Sequence, residues 1–271
     1  MRILAVLTKG DTVVGTLDAA VLAAASVACS SIEALNVMVD PMHLVSAPEE
    51  IDMQELRVHD EGSAQQRAEA IETAFGDWNT VLRPGAPPIA LRTITGAEAE
   101  TVMQETTEDI GLVVLSHNRN MDGADAFHTA LFTARRPVLL VPPGWRSGDR
   151  KRFSHIAVGL TDSELTRRAI QSVGKWLAAA ERVTALCVTD ESDAEAALRA
   201  VMQGSGVKPN VKILARSNET TGAQLVHEAD TLKADVLVTG AFSHSEWSEW
   251  LTGHETREIL AAADLPLFLI H

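Results

Sequence analysis

The residues best placed to do chemistry lie near the end of the chain. Thr239-Gly240-Ala241-Phe242-Ser243-His244-Ser245 closes an apolar run, Gly253-His254 follows, and Glu255-Thr256-Arg257-Glu258-Ile259-Leu260 reads as a helix. In an open parallel sheet, ligands bind beyond the carboxyl ends of the strands, often on backbone N–H groups where a helix starts. Glycines there let the backbone approach a phosphate closely. Other chemistries find less support. His227, His244 and His254 suggest a metal, but no His-x-x-x-His or cysteine pairing accompanies them. Ser163 and Ser243 with the histidines outline a hydrolase triad, yet no Gly-x-Ser-x-Gly elbow occurs. Trp247, Trp250 and Leu251 share one helical face, which suits packing or a subunit contact better than stacking on a base.

The elements that must position this loop occur twice. Residues 109–141 and 235–270 each hold an apolar run ending in a small residue, a polar loop, a helix-like stretch and a second apolar run opened by Pro137 or Pro266. Such a repeat indicates two related domains in one chain. Upstream, Ile3–Thr8 reads as a strand buried on both faces, 16–29 as an alanine-rich helix and 32–39 as a second strand. His155–Thr161, Ser163–Ala180 and Arg182–Thr189 repeat that order. No hairpin signal interrupts it, as expected of parallel βαβ units. Matching positions are 153 apart at Thr8 and Thr161 but 124 apart at Ser116 and Gly240. The first copy therefore holds about 29 more residues, within 41–88, where Glu55–Trp78 reads as a surface helix. Residues 142–152, with two prolines, two glycines and clustered bases, read as a solvated linker pairing with neighbouring carboxylates.

Composition narrows the function. The formal charge of −14 opposes binding to nucleic acid phosphates or to an anionic membrane. No apolar run approaches a bilayer span. Cys29 and Cys187 lie in apolar runs at non-motif spacing and read as buried, inert thiols, consistent with a reducing cytoplasm. Glu191–Glu195 reads as a solvated acidic loop and helix start.

With these residues in view, the chain resembles the universal stress protein family in its tandem form. Nucleotide-binding members carry glycine, two residues, glycine, nine residues, then glycine with serine or threonine. Gly240, Ser243 and Gly253 stand at the three glycine positions and His254 at the hydroxyl position, with Thr256-Arg257, Ile259-Leu260 and Pro266-Leu267-Phe268-Leu269-Ile270 completing the match. The resemblance implies a cofactor-binding set of Thr161, Asp162 and Val188 at the strand ends, with Gly240, Ser243, Gly253 and His254 on the loop. The family commonly ends its first strand in aspartate; Thr8 and Thr161 stand there instead, with Asp11 and Asp162 close behind. Glu246, Glu249 and Glu255 add negative charge to the phosphate region. One carboxylate about 4 Å from a phosphate charge costs roughly 1 kcal/mol even in water. The first copy departs further: Ser116, Arg119 and Thr129 hold the glycine positions and Ala130 the hydroxyl position.

The reading is thus an α/β chain of two tandem flavodoxin/Rossmann-like domains, 1–143 and 153–271. Each is expected to be a five-stranded, mainly parallel sheet with helices on both faces. The resemblance implies that 137–141 and 266–270 pair antiparallel across a pseudo-two-fold axis, making an intramolecular pseudo-dimer, with further homodimerisation left open. The expected function is a cytoplasmic stress-response binding or regulatory protein, not an enzyme, with ATP confined to the second domain and no metal. The alternatives are a weak Mg²⁺-dependent ATP hydrolase, with Asp162 as the metal ligand, and a nucleotide-free scaffold that recruits a protein partner.

Overall fold

The computed structural model describes residues 1–27, 29, 31–39, 57–81, 88–116, 125–160, 164–190, 194–203, 206–240 and 263–270. The first half supplies strands β1 (Arg2–Val6), β2 (Ser31–Met38), β3 (Ile89–Thr95), β4 (Ile110–Ser116) and β5 (Val138–Val141). The second supplies β6 (His155–Gly159), β7 (Arg182–Val188), β8 (Asn210–Leu214), β9 (Val236–Gly240) and β10 (Leu267–Ile270). They form one sheet in the order β3-β2-β1-β4-β5-β10-β9-β6-β7-β8. Every pairing is parallel except β5 with β10, where Leu139 faces Phe268 in antiparallel register. Each half is thus a five-stranded doubly wound unit, and the halves join at the centre of the sheet. That junction gives both terminal strands a hydrogen-bonding neighbour, leaving β3 and β8 as the edges. Charged pairs guard them: Arg92 forks onto Glu105, and Lys212 pairs with Glu228.

Continuous apolar strands are buried because helices cover both faces. On one face lie α1 (Val13–Ala25), α2 (Ala64–Thr80), α5 (Glu164–Ala179) and α6 (Ala194–Gln203), over Ile3, Ala5, Ile156 and Val158. On the other lie α3 (Glu98–Glu105), the short α4 (Asp125–His128) running into a π-helical turn at Thr129–Thr133, and α7 (Thr221–Thr231), over Leu4, Val6, Ala157 and Leu237. Helix α1 is buried nearly all round, since α2 and the linker also pack on it, and its alanines allow that close approach.

The surface helix expected over Glu55–Trp78 differs from the structure. Helical backbone at 57–61 stops at Gly62, whose φ is +85°, and α2 restarts with a capping box between Ser63 and Gln66. Nor is α2 purely a surface element, because Ala68, Ile71 and Trp78 are buried. The linker pairs its bases with carboxylates as expected, Arg150 with Asp235 at 2.7 Å and Arg152 with Glu181 at 2.8 Å. It is also packed rather than merely solvated. The carbonyl oxygen of Trp145 lies so near Gly15 that a Cβ there would sit 2.7 Å from it. Ser147 donates its hydroxyl to Asp18 at 2.6 Å and is buried. Cys187 is buried and Cys29 half-buried, both as free thiols, and burial pushes the Cys29 thiol up.

At the opposite, amino-terminal edge of the strands the halves differ chemically. Arg2 pairs with Glu33 and Asp109 in the first half. In the second, Arg182 donates to His155 Nδ1 at 2.7 Å, which leaves the ring proton on Nε2 for Thr184 Oγ1 at 2.9 Å. Burial first, and then the Arg182 charge, hold His155 below its usual value near 6.5; burial lowers His128 likewise. Below about pH 6.5 the unfolded chain therefore binds protons that the folded chain refuses. The stability these rings support is present above that value and is lost as pH falls through the folded ones. Urea midpoints are expected to drop between pH 7.5 and 5.5, and His155→Gln is expected to flatten that slope. An unchanged slope would show that His155 does not titrate against folding.

Candidate functional site

The strand order reverses between β1 and β4 in the first half and between β6 and β9 in the second. Crevices open at such points beyond the carboxyl ends of parallel strands, and they are the default ligand sites of this architecture. The two crevices of this chain are built differently.

In the first half the turn after β1, one wall of the crevice, is covered by residues 57–80 of the chain's own insertion. Arg57 donates from Nη2 to the carbonyl of Thr8, just past β1, at 3.3 Å. Its Nε lies 3.2 Å from Glu61, and Lys9 lies 3.7 Å from both Glu61 and Asp11. Arg67 donates to the carbonyl of Gly62 at 2.8 Å and is half-buried; desolvation, then the nearby Arg57 charge, lower its pKa. Three bases thus gather near the turn after β1, each engaged with a carboxylate or a carbonyl. Helix α2 also closes on the turn after β1, since a Cβ on Gly10 would sit 3.3 Å from Ala70 Cβ. The residues at the glycine positions turn inward. Ser116 Oγ donates to the carbonyl of Val141 at 2.8 Å within the sheet, while Thr129 and Ala130 are buried at the π-helical turn. Arg119 lies outside the described residues.

The second half places Val188 and Gly240 at the carboxyl edge, as the last residues of β7 and β9. With β6 between them they are about 10 Å apart by ordinary strand spacing. Val188 is buried at 9 % exposure against the face covered by α7. Gly240 pairs with Ile270 on β10. Thr161, Asp162, Ser243, Gly253 and His254 lie outside the described residues, as do His244, Trp247, Trp250 and the three glutamates near the loop. One feature of this crevice escaped the sequence reading. Thr239 Oγ1, one residue before Gly240, is buried at 5 % exposure and finds no hydrogen-bond partner among the described residues. Its signal was a threonine where the matching first-copy residue is Leu115. Asn36 Nδ2 is similarly orphaned in the first half, but on β2, with β1 between it and β4. Buried polar groups are nearly always paired, so such atoms ask for a partner.

His227 is exposed on α7, and among the described residues no group of three His, Cys, Asp or Glu side chains is placed to hold a metal ion. Nor is any described helix long and apolar enough to cross a membrane.

Two halves of order 3-2-1-4-5, joined through their fifth strands, define a tandem, doubly wound α/β protein with paired crevices at its strand ends. More particularly, the fold is that of the universal stress proteins. A universal stress protein from Archaeoglobus fulgidus DSM 4304 superimposes with a TM-score of 0.54 at 14% identity, over 88% of this chain and 85% of that one. A functionally unknown protein from Pseudomonas aeruginosa PAO1 gives 0.58 at 13% identity, over 99% and 92%. At such identities the likeness is one of fold. No protein-family model matches the sequence, and no curated protein matches it significantly.

Proposed function

We propose that this chain is a tandem universal stress protein whose halves, 1–143 and 153–271, are two domains of which only the second binds adenine nucleotide. It acts as a cytoplasmic stress-response binding or regulatory protein rather than a catalyst. The observation that carries this reading is the covered turn after β1 in the first half. Arg57 caps the Thr8 carbonyl, α2 lies against Gly10, and Ser116 turns its hydroxyl into β5. The chain between β7 and β8 is far shorter than that between β2 and β3. Thr161, Asp162 and Val188 would then face the nucleoside, and Gly240, Ser243, Gly253 and His254 the phosphates.

A second reading rests on α2 and its approach. Val58 before the Gly62 break and Val81 at the end of α2 are 45 % and 74 % exposed, and a nucleotide-free scaffold would recruit its protein partner through this insertion. Denaturing the purified chain and identifying what it releases separates the two. Released adenine nucleotide, unchanged on prolonged incubation with Mg²⁺, is the expected result. ADP accumulating only with Mg²⁺ would favour a weak hydrolase with Asp162 at the metal. No released nucleotide and no binding at millimolar ATP would leave the scaffold.

A further inference from the structure

The repeat lets each residue at the junction of the halves be compared with its counterpart. Positions 153 apart correspond through the first helix as well as the first strand. The bond that ends α1, Val27 N–H to the Ala24 carbonyl, recurs in α5 as Ala180 N–H to the Leu177 carbonyl. By that spacing Trp176 is the counterpart of Ala23. Positions 129 apart correspond in the terminal strands, from Pro137 and Pro266 onward, so Phe268 is the counterpart of Leu139. Those two face each other in the antiparallel pair, so the pseudo-two-fold axis passes between them.

All four residues are buried, at 2 % exposure or less, and they meet at this axis. Trp176 donates Nε1–H across the junction to the carbonyl of Ala23 at 3.0 Å. Its ring packs on Phe268 with centroids 5.1 Å apart at 61°. The bulk at the axis therefore comes from the second half, and the room for it from the first. A pair of first halves would set Ala23 against Ala23 and leave a hollow. A pair of second halves would drive two tryptophans and two phenylalanines into one space, and close-packed interiors tolerate neither.

We infer that the surface around β5 and α1 is built to receive the second half of this same chain, and that Trp176 and Phe268 are the knobs that exclude like-with-like pairing. The linker reinforces the choice, since it is anchored to the first half through Asp18 and to the second through Asp235.

Two measurements on the full-length protein test this. The first exchanges the knobs. W176A/F268L hollows the junction and A23W/L139F overfills it, so both are expected to lower the urea midpoint. The fourfold exchange A23W/L139F/W176A/F268L is expected to recover at least half of the summed loss. A fourfold variant that simply adds the two losses would overturn the inference. The second leaves the junction wild-type. A protease site inserted at the exposed Gly148-Asp149 turn is cut after folding, and the nicked protein is diluted, reconcentrated and weighed by native mass spectrometry. Only one-to-one assemblies of first and second halves are expected. Pairs of like halves, or separated halves, would overturn it.

Discussion

Truncating Trp176 to alanine is expected to destabilise the folded chain by about 3–5 kcal/mol, the usual range for removing a large buried aromatic. Three losses combine. The indole leaves a cavity against Phe268, the Ala23 carbonyl loses its donor, and the contact that carries α5 onto α1 disappears. Trp176→Phe separates the contributions, because it keeps most of the apolar bulk but has no N–H. A smaller loss, about 1–2 kcal/mol, is expected there. Urea unfolding followed by circular dichroism measures both. A Trp176→Ala chain within about 1 kcal/mol of wild type would mean that the junction relaxes around the missing ring.

The second large effect is expected at Asp18. Its carboxylate accepts from Trp78 Nε1 at 3.0 Å, from Ser147 Oγ at 2.6 Å and from Ser147 N at 3.3 Å. One side chain on α1 thereby ties down the insertion helix and the linker together. Asp18→Ala removes the acceptor of three hydrogen bonds at once and is expected to cost about 2–4 kcal/mol. Asp18→Asn should cost about half as much, because its amide still accepts on one side while its NH₂ opposes a donor on the other. Proteolysis should then cut first near α2 or at 142–152, the segments that Asp18 holds. Unchanged protection of both would show that Asp18 is dispensable to their docking.

Much of the fold was legible in the sequence, and for physical reasons. Strands such as Val113–Leu115 and Leu139–Val141 are apolar without alternation because helices cover both faces. The repeat showed the same succession of strands and helices twice, and the resemblance implied how the halves meet. What could not be read was the meeting of distant residues. Nothing local in Arg57 points to the Thr8 carbonyl, 49 positions earlier, nor in Trp176 to Ala23, 153 positions earlier. Gly62-Ser63 was a readable break in the Glu55–Trp78 helix, since glycine before a serine cap is a stop and a start together. For the site, the sequence pointed to the loop from Gly240 to His254, which lies beyond Gly240 outside the described residues, while the cover that Arg57 and α2 lay over the turn after β1 became visible only in the structure.

The proposed function places one nucleotide site in each chain, in the second half. Calorimetric titration of ATP into the wild type, Arg57→Ala and Gly253→Asp tests it most directly. A single site is expected in the wild type, unchanged by Arg57→Ala and abolished by Gly253→Asp, whose carboxylate would oppose the phosphates in a chain that remains folded. Two sites in the wild type, a site lost with Arg57 but kept with Asp at 253, or no binding at millimolar ATP would contradict it.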